Sequence, residues 1–394
     1  MNHLKIFFGR CYQKLMYPVT ALMHFREPII LHNLNELDDA INNRCNIALL
    51  SGANMPKTAY YQNLEEHLKK YNITKITSIE SDPSINIIED IVNNLKEKNI
   101  DLIIAVGGGS TMDAAKIVAA RLTNDITIPK LKGLLKVKNK ILPLIVIPST
   151  AGTGSECTVA AVVSDKENNS KYAISDPKLI PEYAMLDANI LSSLPPFYIS
   201  TCGMDALTHA VEAYIGKANT KKTKGDALEA IKLIKDNLVN AYKNKDIASL
   251  SNMQLSSYKA GLAFTKAYVG YVHSIAHSIA AYYHYSHGYL NAIILPVVLE
   301  KYGKKAYKKL ATLSYELGLV NKDVKKEDAA KAFITYIRSL NQELDIPTKL
   351  DITFKEEDID LMIKHCQKET YPFYPVPCFF DEKQLKKLYN IIEK

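Results

Sequence analysis

The first half of the chain alternates short aliphatic and β-branched runs with stretches whose apolar positions recur every three or four residues. Asn46–Leu50 (NIALL), Lys75–Ile79 (KITSI), Leu102–Val106 (LIIAV) and Leu142–Ile147 (LPLIVI) predict buried strands. Lys57–Tyr71 and Ile85–Lys98 lie between them with helical spacing, marked in the second by Ile87, Ile88, Ile91, Val92 and Leu95. Such alternation predicts an α/β domain: a parallel sheet with helices on both faces and ligands at the carboxyl ends of its strands. Thr158–Val163 and Lys171–Ile174 flank the polar cluster Asp165–Ser170 and predict a hairpin.

Beyond Cys202 the strand-like runs vanish. Helical patterns cover Met204–Ile215, Asp226–Tyr242, Leu250–Phe264, Val269–Ala281, Lys304–Leu317, Glu327–Leu344 and Glu356–Gln367. The Pro195-Pro196 pair is the expected boundary, giving an α/β domain over residues 1–195 and an all-α domain over residues 196–394.

Composition excludes several classes. With 394 residues, 47% hydrophobic and 23% charged, the chain matches globular proteins and not collagens, mucin-like stalks or disordered tails. Its net charge of +7 is spread along the sequence, and the densest basic stretch, Lys130–Lys140, reads as a solvated loop. No basic stripe with interleaved aromatics marks a nucleic-acid partner, and no apolar run reaches the ~18 residues of a membrane span. Charges interrupt the N-terminal apolar stretches, so no secretory signal is expected. Six cysteines without CxxC spacing suit reduced thiols in the cytoplasm.

Two glycine-rich turns follow predicted strands. In Asp101–Lys116 (DLIIAVGGGSTMDAAK) a strand runs into Gly107-Gly108-Gly109-Ser110 and then a helix. Free N–H groups at that helix start suit an anion, although a ligand-free tight turn fits equally well. Pro148–Glu156 (PSTAGTGSE) offers hydroxyl donors to a nucleotide, or caps its own turns. Two such turns after parallel strands converge on one sheet edge, which favours a dinucleotide crevice.

The helical half concentrates imidazoles. His273, His277, His284 and His287 fall within one 15-residue stretch, and Asp205 and His209 are four apart on another helix. An acid and imidazoles on facing helices form an oxygen/nitrogen set suited to Fe²⁺ or Zn²⁺, although a single Asp-x-x-x-His pair is more often a contact on a helix surface.

Taken in order, GGGSTMDAAK, PSTAGTGSE, CGMDALTHAVEAY and AGLAFTKAYVGYVHSIAH…SHG resemble the iron-containing (group III) alcohol dehydrogenases of the dehydroquinate-synthase-like superfamily. The resemblance implies metal ligation by Asp205, His209, His273 and His287. His277 matches a histidine that the family keeps near the substrate and off the metal, in a proton-relay or orienting role. Cofactor contacts carry over to Gly108, Gly109, Ser110, Asp113, Ser149, Thr150, Thr153, Gly154 and Lys171. The closing run YPFYPVPCFFDEKQLKKL resembles the family's Pro-x-Pro and final helix.

Three departures bear on function. Gly52 stands where NAD-preferring members carry a ribose-binding aspartate, which permits NADP(H) beside NAD(H). Ala280-Ala281-Tyr282…Ser286-His287-Gly288 replaces the family's Gly-Gly-x-Tyr…Pro-His-Gly and reshapes the pocket segment. Asp187-Ala188 replaces Asp-Pro at a turn. Phe264, Tyr268 and Tyr282 suggest an aromatic-lined pocket for a small alcohol, aldehyde or ketone. The expected activity is NAD(P)-dependent hydride transfer with the metal as Lewis acid, in a homodimer. The alternatives are a glycerol or polyol dehydrogenase of the same superfamily, or a catalytically silent binding protein.

Overall fold

The computed structural model describes residues 3–22, 25–168 and 170–394. They form two compact units: residues 25–195 with 245–261, and residues 1–24 with 196–244 and 262–394. The chain thus crosses between units at Pro195–Pro196, as well as on either side of segment 245–261 and after residue 24.

Among the described residues, the first unit is built on nine strands: β1 (Ile29–Leu31), β2 (Asn46–Ser51), β3 (Asn72–Ile76), β4 (Leu102–Gly107), β5 (Gly133–Leu134), β6 (Leu144–Pro148), β7 (Ala160–Asp165), β8 (Ser170–Ser175) and β9 (Tyr183–Met185). Six make a wholly parallel sheet in the order β1-β9-β6-β4-β2-β3. Every residue of β4 and β6 is buried. Because successive side chains point to opposite faces, both faces of the sheet are covered. Helices α2 (Leu34–Ile41), α3 (Ala59–Leu68), α4 (Ile85–Leu95), α5 (Gly109–Thr123) and α6 (Ile128–Leu131) supply the crossovers.

The strand order reverses between β2 and β4, since β3 lies outside β2 while β6 and β9 continue outward from β4. Open parallel sheets bind ligands at the carboxyl ends beside such a reversal. The segments that leave there begin at Gly52, at Gly108 and, one strand further, at Ser149. β7 and β8 pair antiparallel as a hairpin, with β5 on the outer edge of β8; Asn169, in the expected turn, lies outside the described residues.

The strand expected at Lys75–Ile79 lies three residues earlier, at Asn72–Ile76, in register with β2 from Asn46↔Asn72 to Leu50↔Ile76. It is an edge strand, half exposed along its length, so its hydrophobic signal is weak.

The second unit is helical: α1 (His3–Leu22), α7 (Pro196–Ile215), α8 (Lys221–Asn244), the end of α9 (Ile247–Ala267), α10 (Tyr271–Tyr283), α11 (His287–Tyr302), α12 (Tyr307–Glu316), α13 (Lys326–Glu343), α14 (Glu356–Thr370) and α15 (Glu382–Ile392). Neither α1 nor α11 was expected from the pattern. α11 is apolar nearly all round, contains Pro296 and packs on α7, α10 and α13, so it shows no amphipathic stripe. Among the described residues, no helix is long and apolar enough to cross a membrane.

Candidate active site

Helix α7 carries Asp205, His209 and Glu212, spaced by four and three residues and therefore on one face. α10 adds His273 and His277, and α11 opens with His287. Gly288 lets α11 close on α7: a Cβ there would collide with the Thr201 carbonyl and sit 3.3 Å from the Asp205 Cβ.

These helices aim their polar atoms at one point. Asp205 Oδ1 lies 3.5 Å from His287 Nε2, 3.7 Å from His273 Nε2 and 3.8 Å from His209 Nδ1. The ligand atoms of Asp205, His273 and His287 all fall within 4.8 Å of one another. His209 stands beside this set, its ring stacked on Phe264 at 4.2 Å and 4.4 Å from the His273 ring. The Asn291 amide occupies the convergence point: Nδ2 donates to Asp205 Oδ1 at 2.8 Å and lies 3.0 Å from His287 Nε2 and 3.3 Å from His273 Nε2. Asp205 Oδ1 and the two imidazole nitrogens around one point form an oxygen/nitrogen set that fits a divalent cation once His273 gives up its Nε2 proton.

The electrostatics agree. Burial would raise the Asp205 carboxyl, but His209, His287 and His273 hold it far below the usual carboxylate range. Burial drives His287 well below the ordinary imidazole value despite Asp205, with His277, His273 and His209 adding to the effect. Burial also disfavours charge on His273, yet hydrogen bonds to Asp205 and Glu212 raise it to about 9.

Glu212 explains that exception. Its carboxylate is buried and accepts from the Gly270 N–H (2.8 Å), the Val272 N–H (2.8 Å) and His273 Nδ1 (2.7 Å). With Nδ1 donating to Glu212, His273 turns Nε2 toward Asp205, the carboxylate–histidine arrangement that orients metal ligands. A cation must displace the proton that His273 retains up to about pH 9. Apparent metal affinity should therefore rise about tenfold per pH unit from neutrality towards 9 and flatten above it. Equilibrium dialysis across that range checks this, and a flat profile would mean that His273 is not a ligand.

His277 lies on the open side of the cluster, its side chain 42% exposed. Its ring stacks on His287 at 5.0 Å, and its Nδ1 is 2.7 Å from Glu369 Oε1. Of the three expected pocket aromatics, Phe264 packs on His209, Tyr268 lies 5.9 Å from Tyr17, and Tyr282 is exposed.

Three residues of this cluster escape the sequence reading. Glu212 could have been found, seven residues after Asp205 on the same face. Asn291 sits on the unexpected helix α11, and Glu369 is 92 residues from the histidine it meets.

In the α/β unit the two glycine-rich turns pack against each other. The Ser149 N–H donates to the Gly107 carbonyl at 2.9 Å. A Cβ on Gly108 would lie 3.4 Å from Thr150, and one on Gly109 only 2.9 Å from Thr153. Gly154 has φ +62°, and a Cβ there would be 2.7 Å from the Gly261 Cα. Ser110 Oγ accepts from the Asp82 N–H at 3.3 Å, and the Asp82 carboxylate pairs with Lys171. Asp113 is turned inward: its carboxylate accepts from Ser155 Oγ (2.6 Å) and the Val162 N–H (2.9 Å). The expected cofactor contact is thus, in this structure, a strut beneath the second turn. Gly52 is half-buried, its carbonyl accepting from the Met55 N–H at 3.1 Å.

A model of the iron-containing alcohol dehydrogenases matches residues 29–188, and a model of that family's C-terminal region matches residues 199–392. "Alcohol dehydrogenase 4" of Saccharomyces cerevisiae is 36% identical over 310 residues, 78% of this chain and 79% of that protein. The "NADPH-dependent butanol dehydrogenase" of Clostridium saccharobutylicum is 32% identical over 310 residues, 77% of this chain and 78% of that protein. The structure is also similar to that of an alcohol dehydrogenase from Oenococcus oeni, with a TM-score of 0.89 and 28% identity, covering 94% of this chain and 99% of that one.

Proposed function

This chain belongs to the iron-containing alcohol dehydrogenase family, and on that footing we propose the roles of its residues, its cation and its nucleotide. The protein is an alcohol dehydrogenase, interconverting a small alcohol with its aldehyde or ketone. The observation that carries the site assignment is the convergence of Asp205, His273 and His287, whose ligand atoms lie within 4.8 Å of one another. The alcohol and butanol dehydrogenase relatives argue against a catalytically silent descendant.

Asp205, His209, His273 and His287 hold the cation in this reading. Iron(II) or zinc there supplies Lewis acidity towards the substrate oxygen, and NADP(H) or NAD(H) supplies the hydride chemistry. Asp205 provides the negative charge, and Glu212 keeps His273 in the ligating tautomer. Phe264 holds the His209 ring by stacking. His277, exposed beside His287, exchanges the substrate hydroxyl proton with solvent. His277→Ala should retain the metal and lower kcat, and unchanged kinetics would remove that role.

Nucleotide binding belongs to Gly52, Gly108, Gly109, Ser110, Ser149, Thr150, Thr153, Gly154 and Lys171, with Asp113 holding the second turn in shape. The absence of a carboxylate at Gly52 supports use of NADP(H), since an acid there would repel a 2′-phosphate. The cofactor named for the butanol dehydrogenase relative fits the same reading. Gly52→Asp should shift the kcat/KM ratio towards NAD(H) by about tenfold or more, roughly 1.4 kcal/mol. The new Cβ would lie 3.1 Å from the Ile79 carbonyl, so a small backbone adjustment is expected and thermal stability must be measured beside kinetics. An unaltered cofactor ratio in folded protein would show that Gly52 does not face the ribose.

The six free thiols support residence in the cytoplasm, and a homodimer, the commonest closed assembly, completes the proposal. The activity is tested by nicotinamide absorbance with a panel of short aldehydes, ketones and alcohols, on protein loaded separately with Fe²⁺ and Zn²⁺. Failure with every combination would overturn the catalytic reading.

A further inference from the structure

Glu369 lies in the last turn of helix α14 and in no motif that the sequence singles out. Its Oε1 is 2.7 Å from His277 Nδ1 and accepts the Tyr374 hydroxyl at 2.6 Å. Burial would raise this carboxyl, but His277 and Tyr374 hold it at about 2, so it is an ionised acceptor at neutral pH. Burial likewise keeps the Tyr374 phenol protonated and able to donate. An imidazole whose Nδ1 faces a carboxylate carries its hydrogen on Nδ1 when neutral, which leaves the Nε2 lone pair open.

The bland alternative is a tether between α14 and α10. Partly exposed ion pairs contribute little to stability, and these helices are already joined through buried groups. Ser274 of α10 accepts from Thr370 Oγ1 at 2.8 Å and lies 3.3 Å from Cys366 Sγ. Ser278 meets the Tyr389 hydroxyl of α15 at 2.7 Å. The helix contact does not need Glu369, whereas the orientation of His277 does: among the described residues the His277 ring has no other hydrogen-bond partner.

We propose that Glu369, steadied by Tyr374, is a positioning residue for the alcohol dehydrogenase reaction. It fixes the His277 tautomer so that Nε2 receives the substrate hydroxyl proton. In the oxidative direction the O–H bond breaks and its proton passes to Nε2 and then to solvent, while the hydride of the C–H bond goes to the nicotinamide. In reduction the same nitrogen returns a proton to the new alcohol. This rests on the proton role assigned to His277 above.

A double-mutant cycle tests it, with kcat, KM, bound metal and thermal midpoint measured on Glu369→Ala, Glu369→Gln, His277→Ala and the pair Glu369→Ala with His277→Ala. Glu369→Ala should lower kcat by about 10- to 100-fold with KM, metal content and midpoint nearly unchanged. Glu369→Gln keeps a carbonyl oxygen for Nδ1–H and should recover part of the loss. In the His277→Ala background, Glu369→Ala should have no further effect. Equal slowing in both backgrounds, or lost metal or stability as the whole effect, would make Glu369 structural and overturn the proposal. A slow His277→Ala beside a fully active Glu369→Ala would overturn this inference alone. A fully active His277→Ala would remove the proton role and this inference together.

Discussion

Exchanging His273 for alanine should strip the metal and the activity together. His273 contributes Nε2, 3.7 Å from Asp205 Oδ1, on a ring anchored by Glu212 at 2.7 Å. Removing it leaves three of the four proposed donors, Asp205, His209 and His287, with the His209 ring held against Phe264. Lewis-acid stabilisation of the transition state amounts to several kcal/mol, so kcat/KM should fall by about a thousandfold or more. The fold should survive, because Glu212 keeps the Gly270 and Val272 N–H donors after the imidazole is gone. Metal content by elemental analysis, kinetics and circular dichroism on the same sample separate the cases. A metal-replete, fully active variant would end the ligand assignment.

The second large effect concerns stability. Lys116 is entirely buried in the α/β unit, where Nζ donates to Ser155 Oγ (2.9 Å), Thr158 Oγ1 (3.1 Å), the Thr158 carbonyl (3.2 Å) and the Ala160 carbonyl (2.8 Å). Asp113 Oδ1 is 3.9 Å away. Burial lowers the Lys116 ammonium and raises the Asp113 carboxyl, and their mutual attraction opposes both shifts. Lys116→Met would leave that carboxylate and two carbonyls without their cation. Breaking a buried pair from one side costs about 3–5 kcal/mol, a large part of a typical stability. Urea unfolding should show that loss, and adding Asp113→Asn should recover part of it by removing the stranded charge. A loss below ~1 kcal/mol would mean that water replaces the ammonium. Nucleotide affinity should weaken as well, because this network holds Ser155 and hence the end of the second glycine-rich turn.

Elements of this chain are legible in its sequence where hydrophobic period and burial coincide. Strands β2, β4 and β6 are continuous aliphatic runs because both faces of a parallel sheet are buried, and they lie within about two residues of expectation. β3 is displaced by three residues because it is a half-exposed edge, where pairing with β2 decides the register. The Asp205/His209 and His273/His277 pairs are legible because a helix puts residues four apart on one face. α11 is illegible for the opposite reason: buried on nearly all sides, it has no polar stripe to give a period, and Asn291 was lost with it.

Sequence alone thus determined which residue types could hold a cation and which turns could receive phosphate, since both follow from local spacing and side-chain chemistry. Only the tertiary structure decided which of them meet. It brings Asp205, His273 and His287 within 4.8 Å, sets His209 3.8 Å from Asp205 with its ring on Phe264, and turns Asp113 inward to Ser155. It also joins Glu212 to His273 and Glu369 to His277 across 61 and 92 residues of chain. Those encounters depend on how helices pack, set in part by a single glycine at position 288 that lets two of them approach. Packing depends on side-chain volume in three dimensions, which no local repeat along the chain records.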